Sequence, residues 1–154
     1  MNRGALIIDT NVVVAGLLTV NNTSPVARIV DGMFTAAFPF VISEALLGEY
    51  RAVLLRPAIR KLHGLSTAEV DTILTAFARH AIVLVPVAAP PAPDPGDQLL
   101  WELLAARADL RLVTGDKRLL DNERMKGRVI APREFVEAIR AARARIRRLP
   151  QART

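Results

Sequence analysis

Two short, largely apolar runs constrain this chain more than anything else in it: Ala5-Leu6-Ile7-Ile8 and Leu110-Arg111-Leu112-Val113. The first has no polar residue alternating through it, so it predicts a strand covered on both faces rather than one with a wet side. Each run stops at small polar turn-formers, Asp9-Thr10-Asn11 in one case and Thr114-Gly115-Asp116 in the other. Doubly covered strands belong to parallel sheets wrapped by helices. In open parallel sheets the carboxyl ends of the strands border the ligand crevice. Both acids are therefore expected there, although an Asp at a strand end also reads as an N-cap for the next helix.

The rest of the pattern extends this alternation. Strands are expected at 4–9, 38–42, 81–86, 110–114 and 128–131, and helices at about 12–18, 25–36, 44–55, 67–80, 97–108 and 133–148, with a short turn near 117–122. Ser24-Pro25 sets a cap before a proline at the first helical position, Ser43 precedes Glu44, and Ser66-Thr67-Ala68-Glu69 is a capping box. Strands alternating with helices require right-handed crossovers. The expected fold is a three-layer αβα sandwich around a central, mostly parallel sheet of four to five strands. The Pro-rich stretch 87–93 is too short for an interdomain linker and delivers Asp94 to a helix start. No internal repeat divides the chain, whose 154 residues suit one domain.

Composition narrows the chemistry. The absence of Cys excludes a disulfide scaffold and a thiolate zinc site and fits a reducing compartment. His63 and His80 have no ligand spacing and read as helix-end or surface residues. No signal peptide or membrane span is recognisable, so a cytoplasmic protein is expected. The net charge of +6 is concentrated at the C-terminus, where residues 133–154 hold seven Arg against two Glu. A basic arm suits a polyanionic partner such as nucleic acid, and equally a solvated helix face.

Several carboxylates stand out in the body of the chain. Asp97 would lie in the first turn of the 97–108 helix and head an apolar stripe of Leu100, Trp101, Leu104 and Ala108. A carboxylate on a buried stripe is costly unless paired, hydrogen-bonded or bound to a cation. Asp94 is explained by N-capping, yet competes with Asp97 for the same role. Glu49 borders the stripe formed by Leu46, Tyr50, Val53 and Leu54, whereas Glu44 belongs beside the helix start; Glu49 is the better inward candidate, a surface pair with an Arg being its rival reading. With Asp9 and Asp116 these acids would repel one another, and only Lys117 is close in sequence to offset them. A divalent ion is the natural counter-charge, and all-oxygen ligands select Mg²⁺ or Mn²⁺. Thr10, Asn11, Asp94 and Thr114 are polar neighbours able to orient such ligands, or simple cap and turn residues.

Five segments in order resemble the PIN domain family of metal-dependent ribonucleases, in particular the branch regarded as toxins of toxin–antitoxin pairs. They are Ile7-Ile8-Asp9-Thr10-Asn11-Val12, Ser43-Glu44-Ala45-Leu46-Leu47-Gly48-Glu49-Tyr50-Arg51, Asp94-Pro95-Gly96-Asp97, Leu112-Val113-Thr114-Gly115-Asp116-Lys117-Arg118-Leu119-Leu120 and Ile130-Ala131-Pro132-Arg133-Glu134-Phe135-Val136. Each is weak alone, and five in register are fairly specific. The resemblance implies a nuclease domain over residues 1–139 and a metal-binding, catalytic quartet of Asp9, Glu49, Asp97 and Asp116. It also implies hydrolysis of RNA phosphodiester bonds and an antitoxin protein as partner. Beyond it, residues 140–154 are expected to continue as a basic amphipathic helix with Phe135, Ile139, Ala142, Ile146 and Leu149 on one side. Arg140, Arg143 and Arg147, on the other, are candidates for RNA phosphates together with Lys117. Apolar helix faces suggest a homodimer.

Two rival readings remain at this stage. One is a PIN-like module that grips RNA or an antitoxin without turnover. The other is a phosphoryl-transfer domain of receiver or phosphatase type, which the amide of Asn11 disfavours because those sites want a second acid after the first strand. A dinucleotide fold is excluded, since no Gly-x-Gly-x-x-Gly follows that strand.

Overall fold

A computed structural model describes residues 4–150 of the chain. The last four residues of the expected basic tail, 151–154, lie outside them. The first strand, β1 (Leu6–Ile8), leads directly into helix α1 (Thr10–Leu18), which begins two residues earlier than its apolar periodicity suggests because Asp9 is the residue at its N-cap. After α2 (Pro25–Thr35) come β2 (Phe40–Ile42), α3 (Glu44–Leu54), α4 (Pro57–His63), α5 (Thr67–His80) and β3 (Ile82–Val83). A 3-10 turn (Pro95–Asp97) precedes α6 (Gln98–Ala106), β4 (Arg111–Val113), α7 (Lys117–Leu120), β5 (Val129–Ile130) and α8 (Pro132–Arg147).

The five strands form one wholly parallel sheet in the order β3-β2-β1-β4-β5, flanked by helices in the three-layer arrangement expected. The strands are shorter than their apolar runs, and at the edges β3 and β5 pair through two residues each. The central strands are buried throughout, Ile7, Ile8, Val41, Leu112 and Val113 among them, and the core is aliphatic with Tyr50, Phe40 and Phe77 as its large buried rings. The chain winds outward from β1 through β2 to β3, then returns to the other side of β1 for β4 and β5. That reversal makes the cleft beyond the ends of β1 and β4 the topological switch point, where such sheets bind ligands.

Local chemistry accounts for the helix boundaries. Ser24 accepts from the Ala27 amide, Ser43 from Leu46, and Ser66 and Glu69 cap reciprocally. Helix α4 was not expected. It has proline at its start and left-handed Gly64 after its end, the usual asymmetry of helix termini, but none of its residues is buried, so it carries no hydrophobic period to read. His63 ties it down: one ring nitrogen meets the Leu54 carbonyl at 2.7 Å and the other accepts from the Leu65 amide at 2.9 Å. The α1–α2 contact is close enough to require glycine, since a Cβ on Gly16 would lie 2.5 Å from the Val26 carbonyl oxygen. Helix α8 runs unbroken through residue 140 and buries Phe135 and Ala142, while Ile146 and Leu149 at its far end stay exposed. Among the described residues no helix is long and apolar enough to cross a membrane.

Candidate active site

Parallel pairing of β1 with β4 aligns Ile8 with Val113, so the residues that follow each strand emerge side by side. The Asp9 amide donates to the Val113 carbonyl at 2.9 Å, and the residue is buried between the two strand ends. Although Asp9 stands at the N-cap of α1, its carboxylate makes no capping hydrogen bond, so capping does not explain it. Instead Oδ2 accepts from the fully buried Thr114 hydroxyl at 2.8 Å and more weakly from the Asn11 amide at 3.4 Å. Asn11 completes a small lattice: its Nδ2 also reaches the Thr114 hydroxyl at 3.3 Å, and its Oδ1 accepts from the Gly115 amide at 3.2 Å. The Thr114 oxygen in turn accepts from the Asp116 amide at 3.1 Å. A single hydroxyl thus links the turns after the two central strands.

Helix α3 brings in the third carboxylate. Tyr50 is wholly buried and donates its hydroxyl to the Ile8 carbonyl, which pins α3 against the end of β1. Its neighbour Glu49 then meets the Thr10 hydroxyl through Oε2, while Glu44 sits exposed at the other end of the helix. The tyrosine hydroxyl was not anticipated as a positioning group, although a Tyr in an apolar stripe always has a polar end to satisfy.

The fourth and fifth acids arrive with the 3-10 turn. The Asp94 side chain accepts from the Gly96 amide at 2.9 Å and caps the turn. Asp97 stands at the N-cap of α6 without using its carboxylate there. Leu100, Trp101 and Leu104 are buried as expected, but the helix stops at Ala106 and leaves Ala108 exposed. Gln98 holds the preceding Pro-rich segment by accepting from the Ala92 amide at 2.7 Å.

The charges of these groups act on one another. Burial raises Asp9 from the usual carboxylate range to about 6, against the lowering effect of the Thr114 hydroxyl and the Thr10 amide; the negative charges of Glu49 and Asp97 raise it further. Asp97 is also raised, first by burial, then by Asp94 and Asp116 and less by Glu49, with Arg118 opposing. Asp97 thus feels the negative charges of three other acids, Asp94, Asp116 and Glu49. Asp116 behaves oppositely: burial alone would raise it, but hydrogen bonds from Arg118 outweigh that and lower it.

Arg118 corrects the expectation that only Lys117 lies near the acids. Asp116 caps α7 by accepting from the Arg118 amide at 2.9 Å, and this cap turns the Arg118 side chain back over the carboxylate. The guanidinium lies 3.3 Å from Asp116 and 3.5 Å from Asp94. Among the described residues, no three carboxylates or histidines converge closely enough to close on an ion. In kind, however, the donors fit a hard divalent cation: all are oxygens, and the carboxylates here outnumber the nearby cations, Lys117 and Arg118. Asp9, Asp97, Asp116 and Glu49 are the residues that would hold it.

Two of the α8 arginines expected to meet RNA, Arg140 and Arg143, line crevices away from these acids. Arg140 and Arg143 border a crevice against α2 with Arg28, and Arg143 and Arg145 border a groove of about 770 Å³ with Gly4, Leu6 and Pro39. Those last three lie at or before the amino ends of the strands, opposite the acids.

A sequence profile described as a PIN domain matches residues 5–118, about three quarters of the chain. The chain belongs to the PIN domain family. Membership assigns it to a group of nuclease-type domains, hydrolases at the coarse level. Within this PIN domain, β5 and α8 lie beyond the matched span but belong to the same sheet and core. No curated protein matches the chain significantly.

Proposed function

We propose that this PIN domain is an endoribonuclease dependent on Mg²⁺ or Mn²⁺, acting in the cytoplasm as the toxin of a toxin–antitoxin pair. One observation carries the nuclease reading. The buried Asp9 carboxylate at the switch point is spared from capping, held by the Thr114 hydroxyl, and raised first by its burial and then by the nearby charges of Glu49 and Asp97. Such like-charge crowding is costly unless a cation relieves it. When bound, the ion supplies Lewis acidity for phosphodiester hydrolysis.

The protein's own groups have distinct tasks in this reading. Asp9, Asp97, Asp116 and Glu49 hold the ion. Thr114 and Asn11 fix the Asp9 side chain, and Thr10 fixes Glu49. Asp94 is a structural cap, which leaves Asp97 as the third acid. Lys117 is exposed beside Asp116 and is proposed to meet an RNA phosphate. The antitoxin partner and the homodimer rest on family resemblance and on apolar helix faces.

Incubation of the purified protein with RNA tests this directly. Cleavage is expected only with Mg²⁺ or Mn²⁺, and Asp9→Asn should reduce it on the order of a thousandfold while circular dichroism reports an intact fold. Cleavage undiminished in excess chelator would overturn the metal-dependent mechanism.

A further inference from the structure

We propose that Arg118 is a built-in counter-ion of the acidic cleft, which competes with the divalent cation for Asp116 and so sets how much ion the site needs. The inference rests on the metal-dependent reading above and concerns the same cleft. Its basis is how unequally the four acids are engaged. Asp9 and Glu49 are held by the neutral hydroxyls of Thr114 and Thr10, which leave their charge uncompensated. Asp116 has both oxygens taken. Oδ1 accepts from the Arg118 amide at 2.9 Å and faces Nε at 3.5 Å, and Oδ2 faces the terminal guanidinium nitrogen at 3.3 Å. The same nitrogen lies 3.5 Å from Asp94, so one arginine draws two acids of the cleft toward itself.

An ion using the Asp116 side chain competes with the guanidinium, because both draw on the negative charge of the same two oxygens. The side chain is free to leave, being 74% exposed and tied down only through these ion pairs. The competition is correspondingly mild, since exposed pairs are weak: removing the arginine should tighten ion binding about two- to fivefold. Lys117 supplies the comparison. It is one residue away, carries the same charge, and makes no ion pair among the described residues.

Calorimetric titration of Mn²⁺ alone into the metal-free protein, at low salt and neutral pH, tests the inference without reference to activity. Arg118→Ala should bind Mn²⁺ about two- to fivefold tighter than wild type, with Arg118→Lys between the two. Lys117→Ala should change affinity less than Arg118→Ala, and the gain from Arg118→Ala should shrink at high salt. If wild type binds Mn²⁺ and Arg118→Ala binds no tighter, the competition is refuted while the metal site stands. If Lys117→Ala tightens binding as much, net charge rather than the pairing is responsible and the inference also fails. If neither wild type nor Arg118→Ala binds Mn²⁺, the metal-dependent reading itself falls.

Discussion

Asp9 is a carboxylate in the wrong place for stability. It is 7% exposed, close to two other acids, and held by one strong hydrogen bond from a neutral hydroxyl. Its folded-state pKa of about 6 lies above the ordinary 3.8. A carboxyl raised on folding favours the folded state at pH below its unfolded value, and that contribution disappears as pH rises through the folded value. The window is therefore roughly pH 4 to 6, and the loss across it is about 3 kcal/mol at 1.36 kcal/mol per unit. Denaturant unfolding of the chelated protein should show Asp9→Asn more stable than wild type at neutral pH, with the difference closing toward pH 4. A gap that persists unchanged at low pH would show that the amide acts through packing and not by relieving a charge. Thr114 bears on the same balance from the other side. Thr114→Val keeps the shape but removes the donor, and should destabilise the neutral-pH protein by about 1.5–3 kcal/mol, the usual worth of a hydrogen bond to a charged group.

At the scale of elements, the site depends on α3 being seated against the end of β1. Tyr50 does this twice over, by filling the core with its ring and by giving its hydroxyl to the Ile8 carbonyl. Tyr50→Phe preserves the ring and should cost about 1 kcal/mol, read as a lowered melting temperature. Because Glu49 follows the same helix turn, nuclease activity should fall by more than this stability loss explains; unchanged activity would mean Glu49 is placed by Thr10 alone. Much of this architecture was legible beforehand. The serine caps announced α2, α3 and α5, and the paired strand ends announced the cleft; Glu49 stands out by its place beside the apolar stripe of α3, and it meets the Thr10 hydroxyl. Other features gave no signal of their kind. Helix α4 has no fully buried residue, packs on the core only through the partly buried Ile59 and is secured by His63, so no hydrophobic period marks it. Arg118 reads in sequence as one more surface cation, because its return over Asp116 depends on a side-chain cap that exists only once α7 has formed. The shortness of β3 and β5 follows from their place at the sheet edges, which local composition does not encode.

At the scale of the whole molecule, the candidate acids and the far end of α8 lie apart. Asp9 and Asp116 follow the carboxyl ends of β1 and β4, whereas α8 begins after β5 at that end and runs back for about 24 Å, given its 16 residues and the rise per residue. Its arginines thus lie progressively farther from the cleft, and Arg143 borders the groove at the opposite end of the sheet. If these residues serve RNA, they do so by holding a strand that passes through the cleft, not by touching the bond that breaks. The two roles differ in kinetics. A variant carrying Arg140→Gln, Arg143→Gln and Arg147→Gln should raise KM and leave kcat unchanged, because the lost contacts hold substrate and transition state alike. Each phosphate contact on a single strand contributes about 0.7 to the slope of log affinity against log salt, so losing three should flatten that slope by about 2. An unaltered slope would remove α8 from the RNA path and leave Lys117 and Arg118 as the cations that substrate meets. A fall in kcat with no change in slope would instead show that α8 supports the core around Phe135, and that the basic face acts only through the fold.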